Sequence, residues 1–286
     1  MRSIRLLGLL FVAMSLSACI SMKESTAVKQ NGFEQGISVV HSLPKSIPGK
    51  SSPIPGIPYV FILPDSAATL LVPIPFVGDA VVGQLHQSTS NSYKNKFAAA
   101  DPYDYALKSL QQTSFYKAEN ATYKLYPYVV IQQGFDDVYR ASFVYHIEGP
   151  NWVGRYLYHL PTTYPKAEFA NTPPAEIKSL QQDLQVGADQ LTMLLKRDEA
   201  GELVPHGKKA TLGSLFIVSS RIVGLVSPDV LAYPNIDILD EGNDYLIARS
   251  AGDITSDGQS GGLLFGVHYF HKNQLHTYKV TAEGNK

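Results

Sequence analysis

The chain has 286 residues, of which 44% are hydrophobic, a length sufficient for one large or two small domains with a buried core. Its formal net charge of −1 gives no field suited to a nucleic-acid partner, and its single cysteine excludes an intramolecular disulfide or a cysteine-rich metal site. The 17 Tyr and 12 Phe residues favour a β-rich globular fold.

The first residues have the composition of an export signal. Arg2 and Arg5 precede an apolar run at residues 6–14, and small residues follow that run. The run is too short to span a bilayer as a helix. Residues 1–18 are therefore predicted to be a signal peptide, and its removal leaves a slightly acidic chain.

Leu16, Ser17, Ala18 and Cys19 follow the apolar run directly. This tetrapeptide resembles the lipobox of bacterial lipoproteins. The resemblance implies cleavage before Cys19 and lipidation of its thiol, with palmitate as a typical chain. Each buried methylene contributes ~0.8 kcal/mol, so several acyl chains would make an effectively permanent anchor. Ile20 stands where an aspartate would resemble the inner-membrane retention signal of Gram-negative lipoproteins, so the resemblance implies the outer membrane. The protein is expected to face the periplasm.

Residues 19–58 are rich in Ser, Lys, Gly and Pro and are predicted to be a tether. About 38 flexible residues span ~35 Å, so this tether would hold the folded body away from the lipid surface. The alternative interpretation is a docking strip for a partner, since proline-rich segments are preordered for binding.

An apolar stretch follows at residues 57–85. It is not predicted to be a membrane helix because four prolines interrupt it, namely Pro58, Pro64, Pro73 and Pro75. A buried strand followed by a loop is favoured. The alternatives are an exposed apolar strip that docks a partner or rests in the bilayer interface, and a carrier site for an apolar ligand.

Residues 59–209 are predicted to form an α+β domain. Asp101 can cap a helix that has Pro102 at its first position. Three strand-like runs follow, at residues 123–132, 138–148 and 154–160, separated by turns typical of an antiparallel meander. In the second run apolar side chains alternate with Arg140, Ser142, His146 and Glu148. This alternation predicts that one face of the sheet is solvated.

A second helix is predicted from Thr172 to Gly201, with leucines at helical spacing. Residues 210–286 are then predicted to contain strands alone. These strands form either a small β domain or an extension of the first sheet. The predicted fold class is α+β, an antiparallel sheet covered by two helices and followed by a small all-β C-terminal region. This order resembles, in topology only, the periplasmic domains of transport-auxiliary and LPS-assembly lipoproteins, which implies no site residues.

Residues 258–262 match the Gly-x-Ser-x-Gly pattern of a nucleophile elbow, with Ser260 at its centre. An elbow requires a helix after the serine and then an acid and a histidine. No aspartate follows Ser260, and the next residues are strand-like. A glycine-rich hairpin loop is therefore favoured.

Three histidines lie close together in sequence, at His268, His271 and His276. On a strand the first two point to opposite faces, and a turn would bring His276 back along a partner strand. Surface histidines are favoured over a weak metal site or a pH-responsive patch.

Acidic clusters occur at three places, namely Asp136 with Asp137, Asp237 with Asp240, Glu241 and Asp244, and Asp253 with Asp257. Calcium could bind such oxygens, but the spacing of an EF-hand loop is absent. Turn chemistry is favoured, and no metal or other cofactor is predicted.

Trp152, Arg155, Tyr156 and Tyr158 form the aromatic centre of the sequence. Alternation alone would bury many of these rings in the core. A binding surface on the open face of the sheet is the functional alternative, because Trp, Tyr and Arg often anchor interfaces or stack on sugars.

No complete catalytic set is present, so no enzyme activity is predicted. The sequence favours a lipid-anchored, non-enzymatic binding or assembly accessory of the cell envelope, with an envelope protein as partner. The alternatives are a hydrolase that uses Ser260 and His268, and a carrier of an apolar or glycan ligand.

Overall fold

The computed structural model describes residues 22–45, 47, 52–62, 97–133, 138–165, 174–214, 233–250, 252–254 and 265–281. The predicted signal peptide, Cys19, residues 63–85 of the apolar region and the loop that carries Ser260 lie outside these residues. Within the described ranges, no helix is both long and apolar enough to cross a membrane.

One mixed sheet of eleven strands dominates the fold. Its strands are β2 (Ile37–Val39), β3 (Ser52–Pro53), β4 (Tyr59–Ile62), β5 (Tyr123–Gln133), β6 (Val138–Glu148), β7 (Val153–Pro165), β8 (Lys209–Ser214), β9 (Tyr233–Glu241), β10 (Tyr245–Ser250), β12 (Gly266–His271) and β13 (Leu275–Thr281). β1 (Met22–Glu24) and β11 (Gly252–Ile254) form a separate antiparallel pair. The strand order is β13-β8-β9-β10-β12-β7-β6-β5-β4-β3, and β2 also pairs with β5.

The predicted antiparallel meander is present as β5, β6 and β7. The sheet is antiparallel at most of its other pairings, but the prediction is wrong at three of them, because β2 and β4 both run parallel to β5, and β12 runs parallel to β7. These pairings join strands that are far apart in sequence, and such pairings leave no turn signal between the partners. The fold class is α+β, with a mostly antiparallel but mixed sheet.

The parallel pair of β7 and β12 joins the two halves of the sheet. Val267 aligns with Tyr156, and Tyr269 aligns with Tyr158. The antiparallel strands β12, β10, β9, β8 and β13 continue from this seam. The C-terminal strands therefore extend the first sheet, which was one of the two interpretations open from the sequence.

Both predicted helices are present on one face of the sheet. α1 (Pro102–Leu110) is capped by Asp101, whose Oδ1 accepts a hydrogen bond from the Tyr103 backbone N–H at 3.0 Å. α2 (Pro174–Glu199) packs on β7 and β6, and α1 packs on α2 and β5. Gly187 permits this close approach, because a Cβ there would lie 2.9 Å from the ring of Tyr158.

The N-terminal segment is part of the fold, so the prediction of a tether is wrong for residues 22–45 and 52–58. Phe33, Ile37 and Ile54 are almost fully buried. The Phe33 ring meets Tyr123 edge to face at a centroid distance of 5.3 Å. Its apolar residues are few and scattered among polar ones, so the composition resembles a linker, although Val28, Phe33, Ile37 and Ile54 are buried in the core.

The prediction of a solvated sheet face is also wrong. The face opposite the helices, termed the reverse face, buries Arg140, Ser142 and His146 to 8%, 6% and 1% exposure. Glu148 alone of the four polar residues is partly exposed, and its Oε1 lies 3.2 Å from His146 Nε2. Alternation of polar and apolar residues misleads here because polar groups can be buried when they bond to one another.

The packing of the N-terminal segment predicts the effect of replacing Phe33. Phe33→Ala should lower the free energy of unfolding by about 3–5 kcal/mol, because a fully buried ring would leave a cavity. Phe33 and Gln35 both lie in a short 3-10 helix, Gly32–Gln35. The Gln35 side chain is exposed, so Gln35→Ala is the control and should change the free energy of unfolding little. Urea unfolding of the mature protein in detergent measures both values. Equal stability of the two variants would mean that this segment is a tether after all.

Candidate functional site

The four predicted binding residues do not share an exposed surface. Tyr156 and Tyr158 lie on the helix face of β7 at 1% and 2% exposure, while Arg155 points to the reverse face at 3%. Trp152, just before β7, is partly buried. The prediction of an aromatic binding surface on an open face of the sheet is therefore wrong. Strand alternation places these residues on opposite faces of the sheet, and both faces are covered.

Trp152 instead holds the N-terminal segment against the sheet. Its ring packs against Phe33 and Tyr123 at centroid distances of 5.9 and 6.3 Å. The indole N–H donates to the Thr26 carbonyl oxygen at 3.3 Å. The residue thus connects the start of β7 to a segment more than a hundred positions earlier.

A buried ionic cluster occupies the helix face where α2 ends. Asp198 accepts hydrogen bonds from the Tyr156 hydroxyl at 2.5 Å and from an Arg249 guanidinium N–H at 3.0 Å. All three residues are at most 5% exposed. Burial, and then the carboxylate of Asp198, raises the pKa of the Tyr156 hydroxyl. Sequence reasoning missed this cluster because Asp198 stands among charged residues typical of an exposed helix end.

A second buried polar group lies on the reverse face, and it is termed the histidine relay. Ser142 Oγ lies 2.7 Å from His159 Nδ1, and His159 Nε2 lies 3.0 Å from His268 Nδ1. The Phe270 ring stacks on His159 at a centroid distance of 4.3 Å. Residues from β6, β7 and β12 meet here because the parallel seam places His268 level with Leu157.

The histidine relay has the residue types of a hydroxyl activated by imidazole. Its members are, however, 6%, 2% and 1% exposed, so no substrate reaches the Ser142 hydroxyl in this structure. Burial, and then the neighbouring His268, lowers the pKa of His159 well below its usual value. The relay therefore serves to satisfy buried polar groups, with a neutral imidazole at His159.

The sequence prediction for the three C-terminal histidines is only partly confirmed. His268 and His271 do point to opposite faces, but His268 is buried rather than on the surface. His276 is exposed and lies on β13, which pairs with β8 and not with β12, so it does not return opposite the other two. Among the residues that the structure describes, no three metal-ligating side chains converge.

The acidic residues near β9 form ion pairs. Asp237 pairs with Lys209 at 3.3 Å and Asp240 with Arg197 at 2.8 Å. Glu241 contacts Lys208, and the hydrogen bonds from Lys208 and Tyr278 lower the pKa of Glu241 to about 2. This arrangement does not gather oxygens around one point as calcium requires. Asp136, Asp137 and Asp257 lie outside the described residues.

A partly exposed aromatic group lies beside α2 on the helix face of the C-terminal strands. This group, termed the tyrosine strip, consists of Tyr158, Tyr245, Tyr269 and His271. Tyr269 stacks against Tyr245 at 5.6 Å and contacts Tyr158 at 5.4 Å. Tyr158 Oη lies 3.0 Å from His271 Nε2. Tyr158 forms the buried end, while the other three side chains are partly exposed.

Burial keeps the side chains of the tyrosine strip neutral. Burial, and then neighbouring Tyr269 and Asp183, raises the pKa of Tyr158 to about 12. Burial also raises the pKa of Tyr269 and lowers the pKa of His271. Phenols that stay protonated and an imidazole that stays neutral can donate and accept hydrogen bonds without the cost of desolvating a charge.

The sequence analysis named two members of the tyrosine strip, Tyr158 and His271, in separate groups, and missed Tyr245 and Tyr269. These two residues lie in separate strands, each in an ordinary alternating pattern. Only the antiparallel pairing of β10 with β12 makes them neighbours. Alternation along each strand predicts the face on which its tyrosine lies. The local sequence does not show, however, that β10 pairs with β12.

No protein-family model, no curated protein and no solved structure matches the chain. Its function must therefore be inferred from its own residues.

The buried histidine relay predicts a pH dependence of stability. Unfolded histidine has a pKa near 6.5, whereas burial holds the pKa of His159 below that value in the folded protein. Between about pH 6.5 and the lower folded pKa, the unfolded chain binds a proton that the folded chain does not. Stability should therefore fall as the pH drops below about 6.5, by up to about 1.4 kcal/mol per pH unit from this group.

Urea unfolding from pH 7.5 to 5.5 measures this slope. His159→Gln removes the titrating group and should give a shallower slope, whereas His276→Gln, at an exposed histidine, should keep the slope of the parent protein. An identical slope in the parent and His159→Gln proteins would show that His159 titrates normally.

Proposed function

We propose that this protein is a lipid-anchored, non-enzymatic accessory of the Gram-negative outer membrane that binds an envelope protein on its periplasmic side. The proposal has two parts, an anchor at Cys19 and a binding surface at the tyrosine strip. Each part depends on a different observation and fails by a different experiment.

The anchor depends on the order of Leu16, Ser17, Ala18 and Cys19 after a basic start and a short apolar run. Once cleaved before Cys19, the chain would carry several acyl chains and would not leave the bilayer on the timescale of its function. Ile20 supports the outer membrane as its destination.

The binding surface depends on the partial exposure of Tyr245, Tyr269 and His271 next to one another. Tyrosine supplies a large contact area, loses little rotamer freedom on binding and is enriched at protein interfaces. The Tyr245 hydroxyl donates to Asp240 at 3.2 Å, and this bond fixes the ring position before a partner arrives. A preordered aromatic surface of this kind reduces the entropic cost of association.

A non-enzymatic role is supported by the state of the buried polar residues. The Ser142 hydroxyl and both relay imidazoles are satisfied within the fold and closed to solvent. The Asp198 carboxylate is likewise used by a tyrosine and an arginine. In the described part of the chain these groups stabilise the fold and are not available for catalysis.

Replacement of Cys19 tests the anchor. In the Cys19→Ala protein no thiol is available for lipidation, so the protein should leave the outer-membrane fraction. Mass spectrometry of the parent protein should find an acylated amino-terminal cysteine. The Ser21→Ala variant, which keeps the lipobox, is the control and should stay in the membrane fraction. A parent protein without acyl chains would refute the anchor.

Replacement of the strip residues tests the binding surface. After crosslinking in cells, the Tyr245→Ala and Tyr269→Ala double variant should lose most of the partner that copurifies with the parent protein. A tyrosine that acts as an interface hot spot contributes ~2 kcal/mol or more, so a loss of at least tenfold in capture is expected. The Tyr105→Ala variant, at a partly buried tyrosine of α1, is the control and should retain the partner.

Unchanged capture by the folded double variant would refute the tyrosine strip as the binding surface. Thermal unfolding of all three proteins separates that result from a loss of structure. A parent protein that captures no stoichiometric partner would instead refute the binding role itself and favour a ligand carrier.

A further inference from the structure

We infer that the folded body lies directly against the bilayer, with the end of the sheet that carries β1, β11 and the turn at Asn151 facing the lipid. This inference rests on the proposed lipidation of Cys19. The sequence predicts a long tether that holds the body away from the membrane. In the docked orientation the body is instead held at the membrane in a fixed orientation. The occupant of this surface is the lipid bilayer that holds the acyl chains.

The first argument is the short length of chain between the anchor and the fold. Cys19 is followed by only two residues before β1 begins at Met22. Three peptide links of 3.8 Å place the Met22 Cα at most ~11 Å from the Cys19 Cα. The acylated residue lies at the lipid surface, so β1 must lie close to it as well.

The second argument is that the N-terminal segment is bound to the body and does not extend freely from it. β1 pairs with β11 along its whole length, from Met22 opposite Ile254 to Glu24 opposite Gly252. Further along, the Asn31 N–H donates to the Glu199 carbonyl oxygen at 3.4 Å, and the Phe33 N–H donates to Glu199 Oε1 at 3.1 Å. A segment fixed at both β1 and Phe33 transmits the position of the anchor to the body.

The third argument identifies the end of the sheet that faces the lipid. Trp152 bonds to the Thr26 carbonyl oxygen, so the start of β7 lies beside the segment that follows β1. β11 begins two residues after the end of β10, at Ser250, which pairs with Gly266 at the start of β12. The starts of β7 and β12 and the end of β10 therefore share the end of the sheet that carries β1.

The opposite end of these strands supplies a reference point. The Gln274 side chain donates to the Leu160 carbonyl oxygen at 2.9 Å, which places its neighbour Asn273 near the middle of β7. Leu160 is seven residues after Val153, a distance of ~23 Å along the strand. Asn151 and Asn273 are both exposed, so they form a matched pair of reporter positions at different distances from β1.

Depth-dependent quenching in vesicles tests this orientation. Asn151→Cys and Asn273→Cys are introduced separately into the full lipidated protein, in which lipidation consumes the Cys19 thiol, so each new cysteine is the single free thiol for a fluorescent label. The proteins are reconstituted into vesicles of phosphatidylethanolamine and phosphatidylglycerol that contain a lipid with a nitroxide on its headgroup. The label at Asn151 should be quenched several-fold more strongly than the label at Asn273.

A lengthened variant provides the matched control. An insertion of about 20 Gly and Ser residues between Ser21 and Met22 adds a flexible span of ~25 Å. Quenching at Asn151 should then fall to the level seen at Asn273. Both positions lie far from Cys19 in sequence, so strong quenching reports the placement of the folded body and not of the N-terminal residues alone.

The outcomes separate the inference from the anchor on which it rests. Protein that lacks acyl chains by mass spectrometry and does not bind vesicles would refute the anchor. Acylated, vesicle-bound protein with equal quenching at Asn151 and Asn273, or with quenching at Asn151 unchanged by the insertion, would overturn the docked orientation while leaving the anchor in place.

Discussion

The Asp198 carboxylate is the point on which the arrangement of the chain depends. It lies at the end of α2 and accepts hydrogen bonds from Tyr156 on β7 and Arg249 on β10, and its Oδ2 lies 3.5 Å from the Val28 N–H of the N-terminal segment. Three regions that are remote in sequence therefore meet at one buried charge. Loss of one member of such a pair costs roughly 3–5 kcal/mol, because the other is left buried and unpaired. The cluster fixes which elements can pack together.

The parallel seam between β7 and β12 determines the surroundings of the histidine relay and of the tyrosine strip. On the reverse face it brings His268 beside His159 and so completes the histidine relay. On the helix face it brings Tyr269 beside Tyr158 and so completes the tyrosine strip. The same three registered residues thus produce a closed polar group on one face and a partly open aromatic group on the other. The two groups differ in solvent exposure, because the histidine relay is buried and most of the tyrosine strip is partly exposed.

Local patterns predicted the local parts of this fold. The cap at Asp101, the two helices and the β5 to β7 meander all follow from periodicity and turn residues, and all are present. The parallel pairings were not predictable, because nothing near β12 specifies β7 as its neighbour. Composition also misled where a few apolar residues carry the packing, as Phe33 does in a polar segment. The tyrosine strip was not predictable for a related reason. Its members Tyr245 and Tyr269 lie on strands about a hundred positions after Tyr158, and no local pattern specifies that these strands are neighbours.

The two proposed surfaces lie at different ends of the strands that join them. β1 and Trp152 adjoin the start of β7, whereas Tyr245 pairs with His271 at the far end of β10 and β12. Strands of this length separate their ends by ~17–20 Å. A body that rests on the bilayer at the first end would therefore present the tyrosine strip away from the lipid, toward the periplasm. With the proposed anchor and the docked orientation, this geometry would hold the chain at a membrane and still expose an aromatic surface to a partner, without a flexible tether between the two.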